Sequence, residues 1–304
     1  MGGASYVRIG VAGGSPERRE WAAAEAFAAG ALGAEEPLAP AAELWLYADA
    51  GTVEAVLAAI RPFEELHISA PEPVPLEAWP ETWKRGLEAI VVSPRLLVRP
   101  SFVPAPEGFA GRQLLIEPGQ AFGTGGHAST LLALEALAGL PVGWLRGRSV
   151  LDVGCGSGVL ALAALALGAE RALGCDVDPL ATAAARAASR ANGLATRLAL
   201  FTGSLDALGC AVTGAFDVGV ANLLRRELEP LLGALVACLR PGGRLLLAGL
   251  LVRERARVEV QLERLGCAVD GAREIPDLDG EGWLGLSVRR QGGQDARNHS
   301  RVRR

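Results

Sequence analysis

In the second half of the chain, short apolar runs alternate with longer Ala- and Leu-rich stretches. "SVLDVG" (149–154), "RALGCDV" (171–177), "RLALFTG" (197–203), "FDVGVAN" (216–222) and "GRLLLAGLL" (243–251) are too short for helices and too apolar for loops. Helical patterns separate the first three and the last two. This alternation predicts an α/β fold: a parallel sheet covered on both faces, with ligands at the carboxyl ends of its strands. "CAVDGAREIPDLDGEGWLGLSVRR" (267–290) predicts two more strands, closing the sheet as an antiparallel, hairpin-like ending.

The first 75 residues carry a different pattern. "YVRIGV", "AELWLYA" and "ELHISA" predict strands. "SPERREWAAAEAFAAGAL" predicts a helix with Ser15 as cap and Pro16 in its first turn, and "TVEAVLAAI" a second helix. The β-α-β-α-β order suggests a small α+β, ferredoxin-like unit. "PEPVPLEAWP" holds four prolines in ten residues and predicts a linker. The expected organisation is a small unit over 1–75, a linker and connecting segment over 76–116 with a hairpin-like part ending in "RQLLIEP", the α/β domain over 117–290, and a disordered tail over 291–304.

Composition narrows the possible chemistry. The chain has 304 residues, half of them hydrophobic, and a net charge of −4. No basic block lies in its body, which argues against a broad grip on nucleic acid. The basic end, "ARNHSRVRR", fits a frayed tail. Five scattered cysteines form no CxxC pair, so no metal site is expected, and free thiols fit a cytoplasmic protein. "MGGASYVRIGVAGG" lacks the pattern of a secretory signal, and the apolar run 159–167 is too short to span a bilayer, so no membrane partner is expected.

Candidate chemistry gathers at the predicted strand ends. Between the first strand and its helix stands Asp152-x-Gly154-x-Gly156-x-Gly158, a spacing unlike the G-x-G-x-x-G of dinucleotide sites. Glycines there let backbone approach a ligand closely. The acid before them disfavours a pyrophosphate and suits a cationic, amino-acid-bearing ligand. Asp176 ends the next strand, 22 residues beyond Gly154, where a carboxylate accepts from ribose hydroxyls of either NAD or an adenosine methyl donor. Asp178, before Pro179, is the better helix cap. Asn222 ends the fourth strand, placed to offer a carbonyl to a substrate amine and an amide to the donor, or simply to turn the chain. "EPGQAFGTGGHASTLLALEAL" (117–137) sets Gly123, Gly125 and Gly126 in a loop ahead of His127, Ser129 and Thr130. His127 fits a cap or loop-orienting role better than that of a general base.

These five motifs, "EPGQAFGTGGHASTLLALEAL", "VLDVGCGSGVLALAALALGA", "GCDVDPLATAAARAASRANGL", "FDVGVANLL" and "LRPGGRLLLAGLL", occur in one order, and over Trp83 to Ser287 the sequence resembles the ribosomal protein L-eleven methyltransferase (PrmA) family. The resemblance implies a seven-stranded, Rossmann-like class I methyltransferase domain that uses S-adenosylmethionine, with the small N-terminal unit recognising the substrate. It implies protein amines as acceptors, lysine side chains and an N-terminal α-amine of the ribosomal protein. Carried over by position, Thr130, Gly154, Asp176 and Asn222 bind the donor and Gly156 and Gly158 shape its turn. Ser204 and Leu205 lie near the adenine, and Thr130 and Asn222 also serve catalysis by positioning donor and amine. A monomer is expected. The alternative is a methyltransferase of another protein lysine or of a small amine.

Overall fold

The computed structural model describes residues 6–14, 16–35, 44–74, 88–117, 127–276 and 282–292. The chain divides into two compact units, Met1–Leu87 and Glu88–Arg304.

In the first unit, β1 (Tyr6–Gly13), α1 (Pro16–Ala28), β2 (Gly33–Glu35), β3 (Leu44–Asp49), α2 (Val53–Ile60) and β4 (Leu66–Ile68) build an antiparallel sheet in the order β2-β3-β1-β4. Period-2 alternation drives it: Ile9, Val11, Leu44, Leu46 and Ala48 point inward and join Val56 and Ile60 in one core. Two strands escape the hydrophobic pattern. The three residues of β2 pair with β3, and β5 (Glu72–Val74), inside the expected linker, pairs with β1. Pro73 is tolerated there because an edge position needs no N–H, and Arg8 and Glu72 form an ion pair across the two strands at 2.8 Å. Ser15, the expected cap, and two prolines of the linker, Pro75 and Pro80, lie outside the described residues.

The second unit begins earlier than the expected domain. Strands β6 (Ile90–Ser93), β7 (Leu96–Arg99) and β8 (Arg112–Leu115) form a separate three-stranded sheet. Asn192 closes the free edge of β8 by accepting from the Leu115 N–H at 2.8 Å and donating to the Leu115 carbonyl at 2.7 Å. Thus residues 88–116, expected as connecting chain, pack into the larger unit.

The main sheet contains β9 (Ser149–Val153), β10 (Arg171–Asp176), β11 (Leu198–Thr202), β12 (Phe216–Asn222), β13 (Leu239–Leu251), β14 (Cys267–Ile275) and β15 (Trp283–Arg290), in the order β11-β10-β9-β12-β13-β15-β14. Only β15 runs against its two neighbours. Helices α3 (Ala128–Ala138), α4 (Val159–Ala166), α5 (Pro179–Ala191), α6 (Arg225–Cys238) and α7 (Arg255–Arg264) cover it. The central strands face apolar layers on both sides. Val150, Val218, Val220 and Leu246 join the α3 and α4 side, whereas Leu151, Val153, Leu245 and Leu247 join the α6 and α7 side. This two-sided burial explains the near-continuous apolar runs. No helix among the described residues is long and apolar enough to cross a membrane. The expected tail lies outside the described residues from residue 293 onward.

Candidate active site

The sheet order reverses between β9 and β12, and the carboxyl ends of parallel strands diverge there. A cavity of about 660 Å³ opens at that point, lined among others by Thr130, Gly154, Gly156, Asp176, Ser204, Leu205 and Asn222. The expected site residues therefore converge, with one exception. Gly158 does not line the cavity; it is the α4 N-cap at φ 78°, and a Cβ there would lie 2.9 Å from Ala185 Cβ. Its missing side chain lets α4 and α5 pack closely.

Each lining group is fixed by local structure. Asp176 accepts from the Gly156 N–H at 2.8 Å and, through its other oxygen, from the Asp178 N–H at 3.0 Å. Both carboxylate oxygens keep a free lone pair. Asp178 caps α5 by accepting from the Leu180 N–H at 2.8 Å, as its place before Pro179 predicts. Asn222 Nδ2 donates to Thr130 Oγ1 at 3.1 Å, which turns its own carbonyl oxygen away. That Oδ1 is buried and has no hydrogen-bond partner among the described residues. Such an orphan is costly unless a ligand meets it.

His127 is the α3 N-cap: its Nδ1 accepts from the Ser129 N–H at 3.2 Å, and its ring meets Trp283 edge-on at 4.7 Å. The capping role is the one observed. The glycines ahead of it lie outside the described residues.

Asp152 corrects an expectation. It does not face the cavity; it is fully buried on the Val150 side of β9, where Oδ2 accepts from the Ala161 N–H at 3.0 Å and so holds the start of α4. Burial pushes its carboxyl up to about 7, with the Asp176 charge adding to the effect and the Ala161 N–H opposing it. Cys155 and Cys175 also line the cavity, and burial lifts both thiols far above the ordinary range, which makes them poor nucleophiles.

Sequence reasoning missed Leu223, Leu224, Glu227, Gly249 and Trp283, all of which line the cavity. Glu227 was legible in principle as an acid in the first turn of α6, where it accepts from the Leu224 N–H at 3.3 Å. Gly249 interrupts an otherwise apolar strand, a known mark of a bulge or a close approach. Trp283 carries no such signal, because β15 brings it in from a distant part of the chain.

A model of the family described as ribosomal protein L11 methyltransferase (PrmA) matches residues 43–291. The ribosomal protein L11 methyltransferase of Sorangium cellulosum (strain So ce56) is 38% identical over 232 residues, which are 71% of this chain and 72% of that protein. That of Prochlorococcus marinus (strain MIT 9303) is 41% identical over 197 residues, 64% of each chain, so the match spans about two thirds of these relatives' length. A crystal structure of ribosomal protein L11 methylase from Lactobacillus delbrueckii subsp. bulgaricus aligns with a TM-score of 0.58 at 30% identity, covering 67% of this chain and 100% of that one. The chain belongs to the ribosomal protein L11 methyltransferase (PrmA) family.

Proposed function

We propose that this chain is an S-adenosylmethionine-dependent N-methyltransferase whose acceptor is ribosomal protein L11, at lysine side chains and an N-terminal amine. On this reading Glu88–Arg304 contains a seven-stranded, Rossmann-like class I domain, and Met1–Leu87 is a ferredoxin-like unit that recognises the acceptor. The enzyme acts in the cytoplasm as a monomer.

The observation that carries the reading is the pairing of an orphaned amide oxygen with a cavity suited to cations. No arginine or lysine occurs among the described lining residues, whereas Asp176 and Glu227 do. Carboxylates with no cation beside them favour a positively charged ligand over a pyrophosphate. The residues present fit S-adenosylmethionine. Asp176 has a lone pair on each oxygen for two ribose hydroxyls, Val177 and Leu205 offer apolar flanks to a base, and Gly154 presents bare backbone to the amino-acid end. When bound, the group supplies a methyl carbon on a good leaving group, so alignment and exclusion of water are the main demands on the protein.

This chain's residues meet those demands. The Thr130 hydroxyl holds the Asn222 amide, and Asn222 Oδ1 is left to accept an N–H of the incoming amine. A lysine amine has an ordinary pKa near 10.4 and must lose a proton before it attacks. The apolar walls formed by Leu223, Leu224, Leu231 and Trp283 favour the neutral amine, against the pull of Glu227 in the same lining, and the proton leaves to solvent.

Methyl-labelled donor incubated with purified L11 tests the reading. Label is expected on L11 amines by mass spectrometry, and Asn222→Ala should lower turnover about a hundredfold, well beyond any loss of donor affinity. Label on other proteins or free amines, with L11 bare, would replace the acceptor. A wild-type chain that binds no donor would remove the whole reading.

A further inference from the structure

The turn after Asn222 rests on a close approach between two main chains. Gly249 lies near the carboxyl end of β13 at φ 79° and lines the cavity. A Cβ built on it would lie 2.6 Å from the Leu223 carbonyl oxygen, 2.8 Å from the carbonyl carbon and 2.9 Å from the Leu223 nitrogen. All three are main-chain atoms, which no rotamer change can move aside.

The strand prepares this contact. Asn222 pairs with Ala248, and the Leu223 N–H donates to the Ala248 carbonyl at 3.2 Å. The pairing of β13 with β15 shifts register between Leu247 and Leu250, so the ladder is broken where the Leu223 peptide seats. On its other side Leu223 meets a second glycine: a Cβ on Gly154 would lie 2.4 Å from Leu223 Cδ2. Leu223 is thus held through its main chain by Gly249 and through its side chain by Gly154.

We propose that Gly249 is a positioning residue for methyl transfer. Its bare α-carbon lets the Leu223 peptide dock on β13, and that docking sets Asn222 against Thr130 and the cavity. The inference rests on the methyltransferase reading, with Asn222 at the reacting nitrogen. An alanine at 249 must push the Leu223 peptide away, and Asn222 moves with it. A shift near 1 Å at a reacting centre costs about a hundredfold in rate.

Wild-type activity and its loss in Asn222→Ala test the methyltransferase reading first, before Gly249 is altered. Gly249→Ala is then compared with Gly242→Ala on the same strand, since Gly242 has φ 78° and nothing within 4 Å of an added Cβ. Backbone strain is common to both variants, and the clash belongs to one. Gly249→Ala should lower kcat about 10- to 100-fold with donor Kd within about threefold, while Gly242→Ala keeps wild-type kcat. In an Asn222→Ala background, Gly249→Ala should add less than about threefold, because it acts through the missing amide. The proposal is overturned if Gly249→Ala turns over at the wild-type rate, if donor affinity falls in parallel with kcat, or if the two losses add in full. Should Gly249→Ala fail to fold, Gly249→Asn carries the same Cβ against the Leu223 peptide with a residue that tolerates positive φ better. A kcat loss that disappears in the Asn222→Ala background supports the proposal, and an additive one overturns it.

Discussion

At Asp152 a carboxyl group with no exposed surface sits behind the glycine turn, one oxygen on the Ala161 N–H and the other without a partner among the described residues. Its direction follows from strand geometry: Val150 and Asp152 point to one face of β9, Leu151 and Val153 to the other. The consequence is a stability that depends on pH. Burial raises the folded-state carboxyl to about 7, from an ordinary value of 3.8. The folded chain therefore keeps a proton that the unfolded chain releases, and this group makes stability fall as pH rises from about 4 through about 7. Asp152→Asn keeps an oxygen for the Ala161 N–H and cannot ionise. The variant should lose that slope and gain on the order of 2 kcal/mol over the wild type at pH 8. Urea unfolding at pH 5, 6.5 and 8 measures this, and an unchanged slope would assign the titration to another group.

Three helices end on arginines drawn from elsewhere in the chain. Arg95 donates to the Ala138 and Leu140 carbonyls after α3, Arg197 to Leu165 and Ala169 after α4, and Arg290 to Ala237 and Leu239 after α6. These carbonyls lie in or just beyond the last turns, where helix carbonyls run out of i+4 donors, and a cation there also meets the negative end of the helix dipole. Arg197→Met keeps the aliphatic stem and removes the bonds. It should cost about 1–2 kcal/mol, or about 2–8 °C in Tm by thermal melting, whereas Arg171→Met, at an exposed position on β10, should change stability by less than about 0.5 kcal/mol. Elements were legible in the sequence where burial imposed a period. The runs of β9, β10, β12 and β13 are apolar because both faces are covered, and β3 alternates because one face is. By contrast, β2 and β5 exist because neighbouring strands offer an edge, and neither "GAE" nor "EPV" has a hydrophobic pattern to show it. The site followed the same division. Asp176 and Asn222 were legible as polar residues at strand ends and Thr130 through the family resemblance, whereas Trp283 depends on how a distant strand returns.

Across the whole molecule, charge is divided unevenly between the two units. Residues 1–87 hold thirteen acidic and six basic side chains, a net −7, and residues 88–304 hold twenty-one and twenty-four, a net +3. Residues 293–304 alone carry four arginines and one aspartate, so the rest of the larger unit is neutral. A protein that grips an RNA backbone commonly does so with a cationic surface. On the proposed function, an acidic small unit would draw such an acceptor by long-range attraction, which salt weakens, while a donor in the cavity would be held by short-range bonds. Raising NaCl from about 50 to about 300 mM should lower kcat/KM for L11 several-fold and leave donor Kd within about twofold. Glu25 on α1 and Glu54 on α2 are exposed, and changing both to Gln should flatten the salt dependence without altering kcat at saturating L11. A small amine acceptor provides the contrast, since it has no extended positive surface and its kcat/KM should barely respond to salt. An equal response from both acceptors would mean that salt acts on the catalytic unit, and the charge division would then play no part in choosing the partner.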